Sequence, residues 1–325
     1  MIITQTPLRI SLFGGGTDLP TYYRTSPGSV LSTTIDKFIY VTVKQNFNKN
    51  IKVHANKCEE AGSVNEILHD IVRESMRIAG INKGIEVSIL SDVPADGTGL
   101  GSSSAVTVGL LNALYAYKGV YLDSEELAQL ACKIEIDILG APIGKQDQYI
   151  AAYGGLKVLY FNQDETVRME GCNLTNSLRN ELNSNLLLFY SGLKRSASDI
   201  LISQKLNTTF HMDILHQIKS QVKEASLLLE AQDLDAIGSL LDKGWQLKRQ
   251  LAPGISNTFI DMLYNRSKEI GVTGGKINGA GGGGFLMLYC PHQYQHLLRQ
   301  TLSDFQELKY KFVSFGTRII FNHEE

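Results

Sequence analysis

The stretch Asp96-Gly97-Thr98-Gly99-Leu100-Gly101-Ser102-Ser103-Ser104-Ala105 decides how this chain is read. Before it runs an alternating segment, Ile85-Glu86-Val87-Ser88-Ile89, and after it an apolar-rich stretch from Ala105 to Ala116. The context is strand, glycine-rich loop, helix. Glycines have no Cβ, so the loop backbone can approach an anion closely. The helix start adds unpaired N–H groups and a partial positive charge, which suits phosphate. Three serines supply hydroxyls for phosphate or a metal ion. No Gly-Lys-Ser/Thr closes the loop, which excludes a Walker A site.

The rest of the composition narrows the class. A chain of 325 residues makes one large domain or two ordinary ones, and 43% hydrophobic residues are ample for a core. A net charge of −2 without a basic run speaks against nucleic acid. Cys58, Cys132, Cys172 and Cys290 are far apart and form no Cys-x-x-Cys, so reduced thiols are expected. The N-terminus lacks the charged and apolar regions of a signal peptide, and no apolar run approaches the roughly 20 residues of a membrane span. The expectation is a cytoplasmic protein.

Two apparent motifs are set aside. Gly279-Ala280-Gly281-Gly282-Gly283-Gly284 matches G-x-G-x-x-G, but a dinucleotide site needs a helix to follow. Phe285-Leu286-Met287-Leu288-Tyr289 reads as a strand instead. His292 and His296 are spaced i, i+4, but Gln293 stands where a zinc protease has Glu. They read as surface histidines.

Along the chain the first half is strand-rich. Ile2–Leu12 alternates, Val30–Val43 reads as one or two strands, and a short strand is predicted at Ile51–His54. Asn65–Gly80 carries Ile67, Leu68, Ile71, Val72 and Met76 at helical spacing. Asp123 and Glu126 form a capping box for a helix with Leu127, Leu130, Ala131, Ile134 and Ile138 on one face. The polar stretch Asn162–Ser184 is the candidate boundary. Beyond the short apolar run Leu186–Tyr190 come two helical stripes, from Ile214 to Leu229 and from Leu234 to Leu251. The end returns to β at Phe285–Tyr289 and Tyr310–Phe321, around a helix near His292–Phe305. Mixed strands with clustered helices define an α+β fold.

The phosphate loop is one of three glycine motifs. The first is Pro7-Leu8-Arg9-Ile10-Ser11-Leu12-Phe13-Gly14-Gly15-Gly16-Thr17-Asp18 and the third is Lys276-Ile277-Asn278-Gly279-Ala280-Gly281-Gly282-Gly283-Gly284. In this order and spacing they resemble the motifs of the GHMP small-molecule kinases, over nearly the whole chain. The resemblance implies a two-domain fold. Residues 1–175 would form the N-terminal ATP-binding domain, and 176–325 a ferredoxin-like α+β domain with extra helices. The active site would lie in the cleft between them.

The same resemblance distributes roles. ATP would lie on Gly97, Gly99, Leu100, Gly101, Ser102, Ser103 and Ser104. Mg²⁺ would be held by Glu135 and the Ser102 hydroxyl. Asp147, in Gly144-Lys145-Gln146-Asp147-Gln148, resembles the galactokinase aspartate that takes or orients the sugar hydroxyl proton, and Arg9 would stand beside it. Deprotonating the hydroxyl as the P–O bond forms is apt work for a carboxylate. Gly16, Thr17, Asp18, Gly281 and Gly282 would contact the substrate. Where galactokinases have Gly-Glu-His-Thr-Asp, this chain has Gly14-Gly15-Gly16-Thr17-Asp18, which removes two sugar-gripping side chains. That form, and Tyr190-Ser191-Gly192-Leu193-Lys194-Arg195, resemble the heptose-phosphate kinase and fucokinase branch, whose relatives phosphorylate an anomeric hydroxyl. Arg195 would reach the substrate; Lys194 and Lys145 are further candidates for a second phosphate, but each reads first as a solvated surface charge. The expected partner is a small-molecule sugar or sugar phosphate, with no nucleic acid or membrane partner. A monomer and a homodimer both stay open, and a sugar sensor without catalysis is the reading from another class.

Overall fold

Gly28–Gln45 forms one continuous strand of 18 residues, where the sequence left one or two strands open. Its length lets one edge serve several partners in turn. Residues 28–33 pair with Leu156–Phe161, residues 34–35 with Phe312–Val313, and residues 39–45 with Ile85–Ser91. The other edge pairs with the first strand, Ile2–Phe13. The structure is a computed structural model and describes residues 1–94, 97–193 and 197–323.

In chain order the first half runs β1 (Ile2–Phe13), α1 (Pro20–Tyr23), β2 (Gly28–Gln45), β3 (Ile51–His54), β4 (Cys58–Ala61), α2 (Asp70–Ala79), β5 (Ile85–Ser91), α3 (Ser102–Tyr117), α4 (Ser124–Cys132), α5 (Gln146–Tyr153), β6 (Leu156–Phe161) and β7 (Val167–Gly171). The second half runs α6 (Asn176–Asn185), β8 (Leu186–Tyr190), α7 (Ala197–Leu206), α8 (Met212–Glu230), α9 (Leu234–Lys248), α10 (Thr258–Ile270), β9 (Gly274–Ile277), β10 (Phe285–Tyr289), α11 (Gln295–Thr301), β11 (Glu307–Leu308), β12 (Phe312–Val313) and β13 (Arg318–Asn322).

The larger sheet is ordered β13-β1-β2-β5-β3-β4, with β6, β7 and β12 joined alongside β2. The last strands thus return to the first sheet, and Asn322 pairs with Ile2. Helix α3 packs on this sheet, with 13 of its 16 residues buried. Being enclosed on all sides explains why it is apolar all round rather than along one stripe. The second sheet is ordered β11-β8-β10-β9. Its continuous apolar runs reflect burial on both faces. Leu186 and Leu188 join the main core, whereas Leu187 and Phe189 join a second cluster around the fully buried Trp245. No described helix is long and apolar enough to cross a membrane.

The capping box forms as predicted, with Asp123 accepting from the Glu126 N–H and Glu126 from that of Asp123. The helix beyond it departs from expectation. At Lys133–Ile138 it widens into a π-helix, which rotates the following residues relative to an α-helical stripe. Ile138 is therefore exposed instead of sharing the buried face, while Ile134 and Glu135 are buried. Leu68 likewise lies outside α2 and is exposed, because the helix begins only at Asp70. The polar stretch 162–184 contains β7 and most of α6. The helix predicted near His292–Phe305 is a short 3₁₀ turn, His292–Tyr294, followed by α11. Both His292 and His296 are exposed.

Candidate active site

The three glycine motifs meet in one place because each contributes backbone that others touch. Gly97, Gly99 and Gly101 all have φ between 73° and 77°, the left-handed region in which a side chain would be strained. This alternation curls the loop so that Ser102 opens α3 immediately after it. The loop then packs backbone-to-backbone on the third motif. A Cβ at Gly279 would lie 2.7 Å from Gly99 Cα, and one at Gly284 would lie 2.6 Å from the Thr98 carbonyl oxygen. The Phe285 N–H donates to that same oxygen at 3.2 Å. From the other side, the Arg9 N–H donates to the Leu100 carbonyl at 3.0 Å.

Between these segments lies a cleft of about 410 Å³. The first motif lines it with Arg9, Gly15, Gly16 and Asp18, and the loop lines it with Gly97, Gly99, Gly101, Ser102 and Ser103. Asp147, at the start of α5, faces the same space. Arg9 grips Asp147 as a two-pronged fork, Nε to Oδ1 at 2.7 Å and NH2 to Oδ2 at 2.6 Å. Its remaining guanidinium nitrogen donates to the Gly99 carbonyl. Gln146 Nε2 also donates to Asp147 Oδ1, at 2.9 Å, and Ser11 holds that glutamine through Oε1 at 2.9 Å. A carboxylate oxygen offers about two acceptor positions. Oδ1 has both engaged. Oδ2 keeps one, and it lies 3.3 Å from where a Cβ on Gly101 would sit.

Asp18 stands beside this group. Its Oδ1 accepts from the Gly16 N–H at 3.0 Å. Burial pushes its carboxyl above the ordinary aspartate range, the neighbouring Asp147 charge adds to that, and the Gly16 N–H pulls against it. Gly144 is a glycine because a Cβ there would collide with the Asp18 carboxylate. Glu135 is buried on the π-helix and accepts from Gln148 Nε2 at 2.7 Å. Burial pushes it up to about 7, against the pull of the Ser104, Ser103 and Gln148 side chains.

Several expected contacts are placed elsewhere. Leu100 is fully buried and serves the site through its carbonyl, not its side chain. Ser104 is buried beside Glu135 and its Oγ completes no well-formed hydrogen bond. Thr17 is buried, with its hydroxyl placed between the carbonyls of Gly14 and Ser29 to donate to either, so it holds the turn and does not line the cleft. Gly281 lines the cleft, whereas the Gly282 N–H is spent on the Ile255 carbonyl at 2.8 Å. Lys145 is tied to Glu165 at 2.5 Å, lies over the Tyr23 ring and is not among the residues that line the cleft. Lys194 and Arg195 lie outside the described residues.

Other cleft residues were not singled out from sequence. Gln146 was visible only as a neighbour of Asp147. Gln204, on α7, closes over Gly16, where a Cβ would lie 2.5 Å from its amide nitrogen. Asn278 is buried in the cleft, and neither of its amide atoms has a partner among the described residues. Lys248 and Lys276 also line it. Lys276 was legible as the residue opening the third motif. Lys248 ends an amphipathic helix and gave no signal.

The donor set suits a hard cation. Among the described residues Glu135 is a buried carboxyl with neutral partners and no ion pair. Ser102 and Ser103 bring hydroxyls to the cleft wall nearby. Mg²⁺ typically takes one or two carboxylates together with substrate phosphates and water, and no cluster of three or more His, Cys, Asp or Glu is present among the described residues to hold it alone.

A glycine loop curled onto a helix start and a clamped carboxylate share one cleft, an arrangement that suits a small-molecule kinase. Comparison with known proteins agrees. Residues 64–155 match the GHMP kinases N terminal domain, and residues 225–305 match the GHMP kinases C terminal domain. The D-glycero-alpha-D-manno-heptose 7-phosphate kinase of Campylobacter jejuni is 29% identical over 309 residues, 89% of each chain. The L-fucokinase/L-fucose-1-P guanylyltransferase of Bacteroides fragilis is 27% identical over 326 residues, 87% of this chain and 34% of that one. The crystal structure of a D-glycero-D-manno-heptose 1-phosphate kinase from Bacteroides thetaiotaomicron superposes with a TM-score of 0.83 at 23% identity, covering 100% of both chains. The chain belongs to the GHMP kinase family, and it has that family's two-domain α+β fold.

Proposed function

We propose that this kinase transfers the γ-phosphoryl group of ATP to the anomeric hydroxyl of a sugar, with D-glycero-D-manno-heptose 7-phosphate as acceptor and the 1,7-bisphosphate as product. The observation that carries this reading is the arrangement of Asp18 and Asp147 beside Gly15 and Gly16. Asp18 can accept from sugar hydroxyls through Oδ2, and Gly15 leaves room on the acceptor side, while the Gln204 amide takes the space beside Gly16. The similarity to the Campylobacter jejuni heptose 7-phosphate kinase over most of both chains supports the choice of sugar.

The triphosphate is assigned to the Gly97–Ser103 curve at the start of α3, where N–H groups and hydroxyls converge. Glu135 and Ser102 are the residues to hold Mg²⁺, which when bound neutralises phosphate charge. The acceptor hydroxyl meets the open position on Asp147 Oδ2. As its oxygen bonds to the γ-phosphorus, the bond from that phosphorus to the β–γ bridging oxygen breaks. The hydroxyl proton passes to Oδ2 and ADP leaves. Arg9 holds the carboxylate in register through this step. Arg195 is assigned to the acceptor phosphate.

The test is turnover with Mg-ATP on heptose 7-phosphate, free heptose, fucose, galactose and mannose, with the product's phosphorylated carbon read by ³¹P NMR. Strong preference for the phosphorylated heptose and an anomeric phosphate are expected, and Arg195→Ala should then raise KM for that acceptor. A fucokinase-like 1-kinase is the second reading, favoured by the similarity to the Bacteroides fragilis protein. Equal activity on fucose would select it. The intact Arg9–Asp147 fork argues against a sensor that has lost catalysis.

A further inference from the structure

Two lysines at the base of the cleft are unlike the other cations of the site. Arg9 is neutralised by Asp147. Lys248 and Lys276 have no carboxylate within ion-pair distance among the described residues. Lys276 is buried on β9 and its Nζ donates to the Leu12 carbonyl at 3.0 Å. Lys248, the last residue of α9, donates to the carbonyls of Ile277 and Gly279. An ammonium group has three donors. Lys276 therefore keeps two and Lys248 keeps one. Buried charges are normally paired, because an uncompensated ammonium is costly away from water.

We infer that Lys248 and Lys276 form an anion subsite that binds the phosphate already carried by the acceptor, separate from the phosphoryl group in transfer. This rests on the reading above of a phosphorylated sugar as acceptor, and adds two groups to Arg195 in selecting it. Position argues for the acceptor side of the cleft. Leu12 lies three residues beyond Arg9 on β1, or about 10 Å along the strand. It leads directly into the Gly14–Gly16 turn and Asp18. A sugar that presents its anomeric hydroxyl to Asp147 carries a terminal phosphate at its far end. A dianion placed against two ammonium groups would supply the charge they lack. Their acid–base state agrees with that need. Burial lowers Lys248 to about 8 and pushes Lys276 well below its ordinary range, Arg9 repels both, Lys248 also repels Lys276, and Asp18 acts in the other direction.

The experiment compares wild type with Lys248→Met and Lys276→Met, which keep side-chain length and remove charge. The readouts are KM for ATP and the ratio of kcat/KM on heptose 7-phosphate to that on free heptose. That ratio is expected to fall about ten- to hundred-fold in each variant, the loss of a charge-assisted contact, with KM for ATP moving less than about threefold. Wild-type enzyme supplies a readout that needs no variant. Inorganic phosphate should inhibit competitively against heptose 7-phosphate and not against ATP. An unchanged ratio overturns the subsite, as does a rise in KM for ATP, which would assign the lysines to the nucleotide. Equal loss on both acceptors would make them structural ties to the glycine motif and also overturn it. Lys248→Arg and Lys276→Arg, which retain charge, replace any methionine variant that fails to fold, and should keep more of the ratio than Lys→Gln. If wild type itself prefers free heptose, the acceptor reading falls. If it prefers the phosphorylated sugar and the lysine variants keep the wild-type ratio, only the subsite falls.

Discussion

Arg9 and Asp147 are 138 positions apart in sequence and joined by two parallel hydrogen bonds, at 2.7 and 2.6 Å, on the wall of the cleft. The arginine side chain is nearly enclosed, whereas a quarter of the aspartate side chain remains accessible. The fork fixes the carboxylate and leaves one acceptor position on Oδ2 free among the described residues. On the proposed mechanism, positioning falls to Arg9 and proton acceptance to Asp147.

Asp147→Asn keeps the shape and removes the proton acceptor. On the proposed mechanism kcat falls by about 10²–10⁴, while KM for ATP stays close to wild type. Steady-state kinetics at saturating ATP check this, and near-normal turnover would remove Asp147 from the chemistry.

Arg9→Lys preserves charge but not the fork. One ammonium cannot reproduce two parallel N–H donors to a carboxylate and a third to the Gly99 carbonyl. Losing at least one charge-assisted hydrogen bond of the fork is expected to cost about 1.5–3 kcal/mol of stability, read as a lower urea midpoint. Because both residues serve one step, Arg9→Lys combined with Asp147→Asn should lose much less than the product of the single kcat effects. Simple multiplication of those effects would mean that they act separately.

Glu135→Gln is expected to raise the Mg²⁺ concentration for half-maximal activity at least roughly tenfold. The amide keeps a partner for Gln148 but loses the charge that a hard cation needs. Titration of activity with Mg²⁺ after chelator treatment is the measurement. Full activity without any divalent ion would end the metal assignment.

Gly144→Ala should damage the acceptor side without touching the nucleotide loop. The new methyl group meets the Asp18 carboxylate directly, and moving that group by about 1 Å can cost on the order of 10² in kcat/KM. ATP affinity, followed by calorimetry, should not change. A variant with wild-type acceptor kinetics would mean that Asp18 does not contact the sugar.

The lowered value of Lys248 implies a pH-dependent stability. In the folded protein burial first, and then Arg9, hold it at about 8 instead of the ordinary 10.5, with Asp18 opposing and Lys276 close by. Between those values the unfolded chain binds more protons, so this residue favours folding increasingly as pH rises from 8 to 10.5. Below pH 8 it costs the folded state up to about 3 kcal/mol. Urea unfolding of wild type and Lys248→Met across this range should show a gap that changes by that order. A constant gap would refute the shift.

The amino-acid sequence by itself determined the elements whose signals are local. Strand, glycine loop and helix around Gly97–Ser104 were legible because alternation, backbone freedom and helix-start chemistry are all read within a few residues. The capping box at Asp123 and the strand after the third glycine motif were legible for the same reason. Tertiary structure decided what depends on distant partners. The π-helix that buries Glu135 and exposes Ile138 breaks a period that looked uniform. The return of β12 and β13 to the first sheet is a pairing of chain ends that no local pattern encodes. Lys145 and Lys248 show the same limit from opposite sides. One lysine beside the Asp147 motif turned to Glu165, and the other, at the end of an ordinary amphipathic helix, came to line the cleft. A side chain's charge is written in the sequence, but its partner and its burial arise only when separate segments are packed together.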